Sequence, residues 1–283
     1  MVEHESGPGH TATLAAVGRT IHAGTAHPLV VDHLALGLAG EPGATLLAQL
    51  TSQLPEASRP SFGLAFAVRT RFVEDAVTHA IEEGIGQYVI LGAGLDSFAY
   101  RRTDLGGRLR IFEVDRAASQ AWKRRRLEEM GVAIPASVSL VSLDHDTDDL
   151  SSALVGAGFD PSAPAIVSAI ALTQYLAQPS IEEILKLVAS LPRGSRLVLT
   201  YVVPSDELSD MARAGLAWTM SQAAEGGEPF LSLFRPAEID DLMRRSGFTR
   251  VEQFGPRQLL DLYLADQSDA QLTGIERLAA GYV

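Results

Sequence analysis

Residues 87–102, QYVILGAGLDSFAYRR, restrict the fold more than any other stretch. An apolar run, Tyr88-Val89-Ile90-Leu91, passes directly into Gly92-Ala93-Gly94 and then into Leu95-Asp96-Ser97, which reads as a helix start. Short apolar runs bounded by glycine are characteristic of strands buried on both faces of a parallel sheet. Such sheets hold their ligands at the carboxyl ends of the strands. Glycine at that point accepts positive φ and lets a ligand approach the backbone. A second run, 109–115 (LRIFEVD), ends in acid. An acid about twenty residues past the glycines suits the paired hydroxyls of a ribose. The two runs together predict a nucleoside-bearing cofactor over Gly92–Gly94, with its ribose on Asp115 or Glu113.

The alternation continues downstream. Runs 138–142 (VSLVS), 165–171 (AIVSAIA) and 196–203 (RLVLTYVV) read as strands, separated by helical segments 116–130, 148–156 and 179–191. This order predicts an α/β fold with a parallel sheet and right-handed crossovers. Runs 251–254 and 259–264 read as two closing strands joined by only four residues. That is too short for a crossover helix, so the closing pair is expected to be antiparallel. Ahead of the sheet, 61–83 reads as one long helix ended by Gly84. Residues 11–54 read as short helices broken at 24–28 and 40–43. Segments 1–60 and 205–233 stand outside the alternation. They are expected to form a helical lid over a cofactor-binding domain of residues 61–283. Leu216, Trp218, Met220, Phe230, Leu233 and Phe234 give the second segment an apolar set, which could instead pack on the sheet edge or form a homodimer surface.

A formal net charge of −12 argues against a nucleic-acid backbone as partner, and against anionic lipid. The absence of cysteine removes disulfides, thiolate catalysis and thiolate metal sites together. The start, MVEHESGPGH, has no apolar signal core, and no apolar run approaches membrane-spanning length. The expectation is a cytoplasmic protein acting on a small molecule, without metal.

Gly92-x-Gly94 alone fits an ordinary strand-to-helix turn. A nicotinamide site would prefer glycine or alanine where Ser97 stands, so a different adenosine cofactor is favoured. Asp115 could serve only as a helix cap, and so could Asp144 or Asp146. If a base assists the chemistry, His22, His27, His33, His145, Tyr175 and Tyr201 are available, and none stands out. Gln174, Tyr175 and Tyr201 fall at the carboxyl ends of the fourth and fifth strands, where an acceptor would sit.

LGAGLDSFAYR, FEVD ahead of a helix with Lys123, VSLD, GFDPSAP before an apolar strand, Val68-Arg69-Thr70-Arg71-Phe72 and His27–Asp32 stand together in this chain. As a set they resemble the leucine carboxyl methyltransferase family of class I S-adenosylmethionine-dependent methyltransferases, most closely a bacterial branch associated with natural-product O-methylation. FRPAEIDDLMRRSGF resembles the helix before the last strands in many class I methyltransferases. The resemblance implies a Rossmann-like, seven-stranded, mostly parallel sheet with an antiparallel last strand. It places Gly92, Ala93, Gly94 and Asp96 against the methionine part of the cofactor. Asp115 would hold the ribose, with Arg116 next to it. Asp144 would take the adenine amino group beside Leu143 and His145, with Ala169 close by. Arg69 would pair with the methionine carboxylate, and Arg71 is its rival. Two positions depart from the family. Ile170 stands where carboxyl-methylating members carry glutamate, and Phe98 replaces an arginine. An O-methyltransferase of a small carboxylate or hydroxyl is the leading reading. N- or C-methylation, a nicotinamide-dependent oxidoreductase and a non-catalytic cofactor binder remain alternatives.

Overall fold

The computed structural model describes residues 8–105, 107–143, 148–267 and 270–283. Its strands are β1 (Gln87–Leu91), β2 (Arg110–Asp115), β3 (Val138–Ser142), β4 (Ile166–Ala169), β5 (Arg196–Val202), β6 (Arg250–Phe254) and β7 (Glu276–Tyr282). They form one sheet in the order β3-β2-β1-β4-β5-β7-β6. The first five are parallel to one another, and β7 runs antiparallel to both β5 and β6. Helices are α1 (His10–Ala23), α2 (Ala35–Gln53), α3 (Arg59–Glu82), α4 (Phe98–Arg101), α5 (Ala117–Glu129), α6 (Leu150–Gly156), α7 (Gln178–Ala189), α8 (Asp210–Glu225), α9 (Pro236–Ser246) and α10 (Pro256–Tyr263).

Every residue of β1 is buried, and its side chains alternate between two cores. Val89 and Leu91 join Leu154 of α6, Leu185 of α7, Leu216 of α8 and Ile239 of α9. Tyr88 and Ile90 join Leu38 of α2, Val77 of α3, Phe98 of α4, Leu127 of α5 and Leu259 of α10. Helices therefore cover both faces, which is why the central strands read as continuous apolar runs. Each fully buried valine or leucine contributes roughly 1.5–3 kcal/mol, so the strand that leads into the glycine turn is anchored on both sides.

The expected breaks upstream are both present. α1 ends at Ala23, and α2 is two helical stretches that meet at Gly40, where φ is 64° and ψ −149°, just before Pro42. Gly84 ends α3 with φ 90°, and Ile85 N–H donates to Ala80 O (2.9 Å).

Residues 259–264 are not a strand. Pro256 opens α10, and Leu259 and Tyr263, one turn apart, face the body of the protein. The last strand is Glu276–Tyr282, inserted between β5 and β6. Its Ala-Ala-Gly centre has little strand propensity of its own. Pairing on both edges makes it a strand, and a Cβ on Gly281 would lie 2.6 Å from Met243 Cε and 2.7 Å from Phe248 Cδ1. Of the apolar set in 205–233, Leu216 is in the sheet core with neighbouring Phe234, while Met220, Phe230 and Leu233 pack against it. Trp218 is exposed. No described helix is long and apolar enough to cross a membrane.

Candidate functional site

At the end of β1 the chain turns through Gly92 (φ 66°) and Gly94 (φ 42°). Ala93 N–H donates to Val114 O (3.0 Å). Gly94 N–H donates to Asp115 Oδ2 (2.5 Å), and Arg116 N–H donates to Asp115 Oδ1 (2.7 Å). One carboxylate thus ties the glycine turn to the end of β2. Asp115 is not a helix cap, because α5 starts at Ala117 with Arg116 in the cap position. The expected helix after the turn is one turn only. Asp96 Oδ1 accepts from Phe98 N–H (2.7 Å), and α4 ends at Arg101.

A cleft of about 460 Å³ lies over this turn. Its floor is the ends of β1 and β4, including Ser168, Ile170 and Ala171. Its walls are Arg69, Thr70 and Glu74 of α3, Ala12, Ala15 and Arg19 of α1, and Arg116 and Ser119 at the start of α5. Gly227, Glu228, Pro229 and Leu231 form the roof. Ala171 has φ 52° and is the one non-glycine with positive φ among the described residues. Strain of this kind gathers at ligand sites, and here it sets Ile170 and Leu172 beside the cleft.

Of the residues singled out in the sequence, Arg69, Gly92, Ala93, Gly94, Asp96, Asp115, Arg116 and Tyr175 line this cleft. Leu143 and Ala169 are buried in the core beside it. Asp144 and His145 lie outside the described residues. Glu113 is fully buried against Lys123 and is not a ribose ligand here. Three acceptor-site candidates do not reach the cleft. His22 is packed between helices, with Nε2 accepting from Leu29 N–H (2.8 Å), and burial lowers its pKa. Tyr201 points to the opposite face of the sheet and donates to Gln253 Oε1 (2.6 Å). Gln174 is buried, and its backbone carbonyl accepts from the N–H groups of Leu231 (2.6 Å) and Ser232 (3.3 Å), so it supports the roof. Arg71 pairs with Asp75 (2.8 Å), away from the cleft.

Comparison with known proteins decides the family. The profile described as leucine carboxyl methyltransferase matches residues 12–189, more than half of the chain. A protein of Frankia alni is 32% identical over 274 residues, covering 95% of this chain and 84% of that one. The chain belongs to the leucine carboxyl methyltransferase family. A Bacillus subtilis relative of this methyltransferase is 29% identical over 205 residues, 71% of this chain and 66% of that protein, so the match spans just under two thirds of its length. Both relatives are provisionally named S-adenosyl-L-methionine-dependent methyltransferases. The Rossmann-like fold recurs in a Thermobifida fusca structure provisionally titled a methyltransferase, with TM-score 0.60 at 18% identity over 98% of this chain and 95% of that one. A DUF574-family protein of Streptomyces avermitilis gives TM-score 0.57 at 15% identity, over 97% of both chains.

Around the cleft the structure adds charges to which sequence reasoning gave no role. Asp32 is buried, accepts from Arg19 Nε (2.7 Å) and the Ser97 hydroxyl (2.6 Å), and lies 3.5 Å from Arg101. It also accepts from Leu34 N–H (3.2 Å) and Ala35 N–H (3.0 Å) at the start of α2. Arg19 Nη2 donates to Leu95 O (2.8 Å), so the network grips the glycine turn itself. Arg101 continues to Glu74, which faces the cleft. Asp32 and Arg101 lay inside the sequence motifs, but their mutual approach was not legible there. Arg69 pairs with Glu276 at the start of β7. Tyr175 stacks edge-on against Phe230 (5.3 Å), and burial pushes its hydroxyl up to about 12, so it is a neutral phenol near pH 7. Among the described residues no cluster of three or more His, Asp or Glu is placed to hold a metal ion.

Proposed function

We propose that this protein O-methylates a small-molecule acceptor, at a carboxylate or hydroxyl oxygen, using S-adenosyl-L-methionine. The observation that carries this reading is the Gly92–Gly94 turn, pinned by Asp115 at the floor of the cleft. A Cβ on Gly92 would lie 3.0 Å from Leu172, and one on Gly94 3.2 Å from Ala12, in space a ligand needs. The chemistry of the lining fits the donor. Glu74, Asp96, Asp115 and Glu228 outnumber Arg19, Arg69 and Arg116, and an acidic cleft suits a sulfonium. Asp115 uses one lone pair of each oxygen on backbone N–H groups, and the others remain for ribose hydroxyls. The Arg69 guanidinium has donors beyond the one given to Glu276, and these would hold a carboxylate.

The bound donor supplies an electrophilic methyl group. The chain then has to align the acceptor oxygen and exclude water. Ile170, Leu172 and Leu231 give the cleft an apolar portion that suits a small, poorly charged acceptor of the kind met in secondary metabolism. Ile170 in place of glutamate speaks against the family's protein-carboxylate substrate. A carboxylate acceptor needs no base, since it is ionised near pH 7. A hydroxyl proton would pass to Glu74, whose carboxyl burial raises above the ordinary value, Arg101 offsetting only part.

The test is transfer from methyl-labelled donor to a panel of phenols, alcohols and carboxylic acids. The expected product carries label on oxygen, released by alkali from an ester and retained by an ether. Label on nitrogen or carbon, or tight donor binding with no transfer to any acceptor, rejects the proposal.

A further inference from the structure

Arg277 is a cation that meets no counter-charge among the described residues. It stands opposite Tyr201 in the β5–β7 ladder. Among the described residues its side chain makes no hydrogen bond and no ion pair, and its Nε is shielded from solvent without a partner. Arg277 is half-buried, and a charge partly withdrawn from water favours a counter-ion.

The side chain lines a cavity of about 480 Å³ that shares no lining residue with the methyltransferase cleft. Tyr201, Gln253, Pro256, Arg257 and Gln258 are among its other walls. Two arginines contribute to this lining and no carboxylate does, although Arg257 also lies 3.9 Å from Asp261. Pro256 and Arg257 begin α10, and the free N–H groups of a helix start carry partial positive charge. The acids nearest in effect on Tyr201 are Glu207 and Asp240. Both are already engaged, Glu207 with Arg235 (2.6 Å) and Asp240 with Arg244 (2.7 Å). Successive residues of a strand face opposite sides. Glu276 therefore meets Arg69 on one face of β7, while Arg277 is left for the cavity on the other.

We infer that this cavity is a binding site for a small oxyanion, a phosphate or carboxylate group, held between Arg277 and the start of α10. It lies apart from the donor and acceptor cleft, so its ligand is a second molecule.

The test titrates the full chain with inorganic phosphate and, separately, with acetate, against chloride at matched ionic strength. Calorimetry and thermal unfolding are the readouts. Saturable binding of one anion is expected. It should weaken roughly ten- to hundredfold in Arg277→Gln, the loss of one charged hydrogen-bonding partner. Binding of S-adenosyl-L-methionine should not change. Phosphate alone would point to phosphate esters and acetate alone to carboxylates, and either supports the site. A wild-type response no larger than that to chloride overturns it. So does Arg277→Gln binding the anion as wild type does. Arg257→Gln, at a side chain 93% exposed, keeps the test readable if Arg277→Gln does not fold. It should weaken the same binding, and unchanged affinity there counts against the site.

Discussion

Glu228 accepts hydrogen bonds from both the backbone N–H (3.2 Å) and the hydroxyl (2.7 Å) of Thr11, 217 positions away in the chain. Its other oxygen accepts from Arg116 Nη2 (3.0 Å). Three segments thus meet over the cleft: the start of α1, the loop after α8 and the start of α5. The carboxylate also sits at the N-terminus of α1, where the helix dipole favours negative charge.

We propose that these segments close over the donor as a lid. Glu228→Ala removes the carboxylate common to them, with an expected loss of about 1–2 kcal/mol in the closed state. Donor dissociation should speed up roughly tenfold. Amide exchange should rise in residues 9–13 and 227–231 and nowhere else. An unchanged off-rate together with unchanged exchange would show that packing of α1, not this contact, holds the cleft shut.

Asp115 is expected to serve backbone and donor together. Asp115→Ala leaves Gly94 N–H without its acceptor and removes the partner proposed for the ribose. Donor affinity should fall by on the order of 1–3 kcal/mol, with turnover at saturating donor affected much less. If Asp115→Ala lowered thermal stability but left donor affinity intact, the residue would be a fastener of the turn alone.

Asp32 and Glu74 share Arg101, yet they titrate in opposite directions. Burial pushes Asp32 up, but Arg19, Arg101 and the Ser97 hydroxyl pull it further down, below the ordinary aspartate value. Burial pushes Glu74 up, and Arg101 recovers only part of that. At Asp32 the unfolded chain binds more protons. Its stabilisation is therefore full above about 3.9 and lost as pH falls through the lower folded value. At Glu74 the folded state holds the proton more tightly. Its contribution is present below about 4.3 and lost as pH rises through the raised folded value. Asp32→Asn should cost about 3–5 kcal/mol near neutral pH and flatten the acid limb of stability. Glu74→Gln should gain on wild type as pH rises between about pH 4 and pH 7. Urea unfolding from about pH 2 to about pH 7 measures both, and parallel shifts for the two variants would contradict the assignment.

The first five strands were legible because β1, β4 and β5 are buried along nearly their whole length and β2 along its centre, while β3, half-buried at the sheet edge, was placed by the strand–helix alternation. The glycine turn was legible because it directly follows an apolar run. Glu276–Tyr282 was not, since its strand character comes from β5, β6 and the contacts at Gly281 and not from its own side chains. The leucines of 259–264 suited helix and strand alike, and Pro256 was the clue that favoured helix. Tyr201 was misplaced although its alternation with Leu197 and Leu199 already put it on the far face. The charged frame around the cleft joins distant residues, Arg69 with Glu276 and Glu74 with Arg101, and no local pattern records such pairings.

The buried pair Glu113–Lys123 tests how much of this frame is stabilising. The two side chains are almost wholly buried and 2.7 Å apart, with the Tyr100 hydroxyl donating to the same Glu113 oxygen (3.1 Å). The second Glu113 oxygen is buried without a partner. Burial pushes the Glu113 carboxyl up, and Lys123 offsets only part. Removing one member strands the other charge, so Glu113→Gln or Lys123→Met alone should cost about 3–5 kcal/mol. The double variant Glu113→Leu/Lys123→Met replaces both charges with apolar groups and should unfold within about 1 kcal/mol of wild type, or above it. A double variant as unstable as the two single losses added together would mean the charges act independently. Glu113 lies two residues before Asp115 on β2, so donor affinity reports any shift of the strand end. If the double variant kept its stability but lost donor binding, the pair would be setting the position of Asp115 and not the stability of the fold.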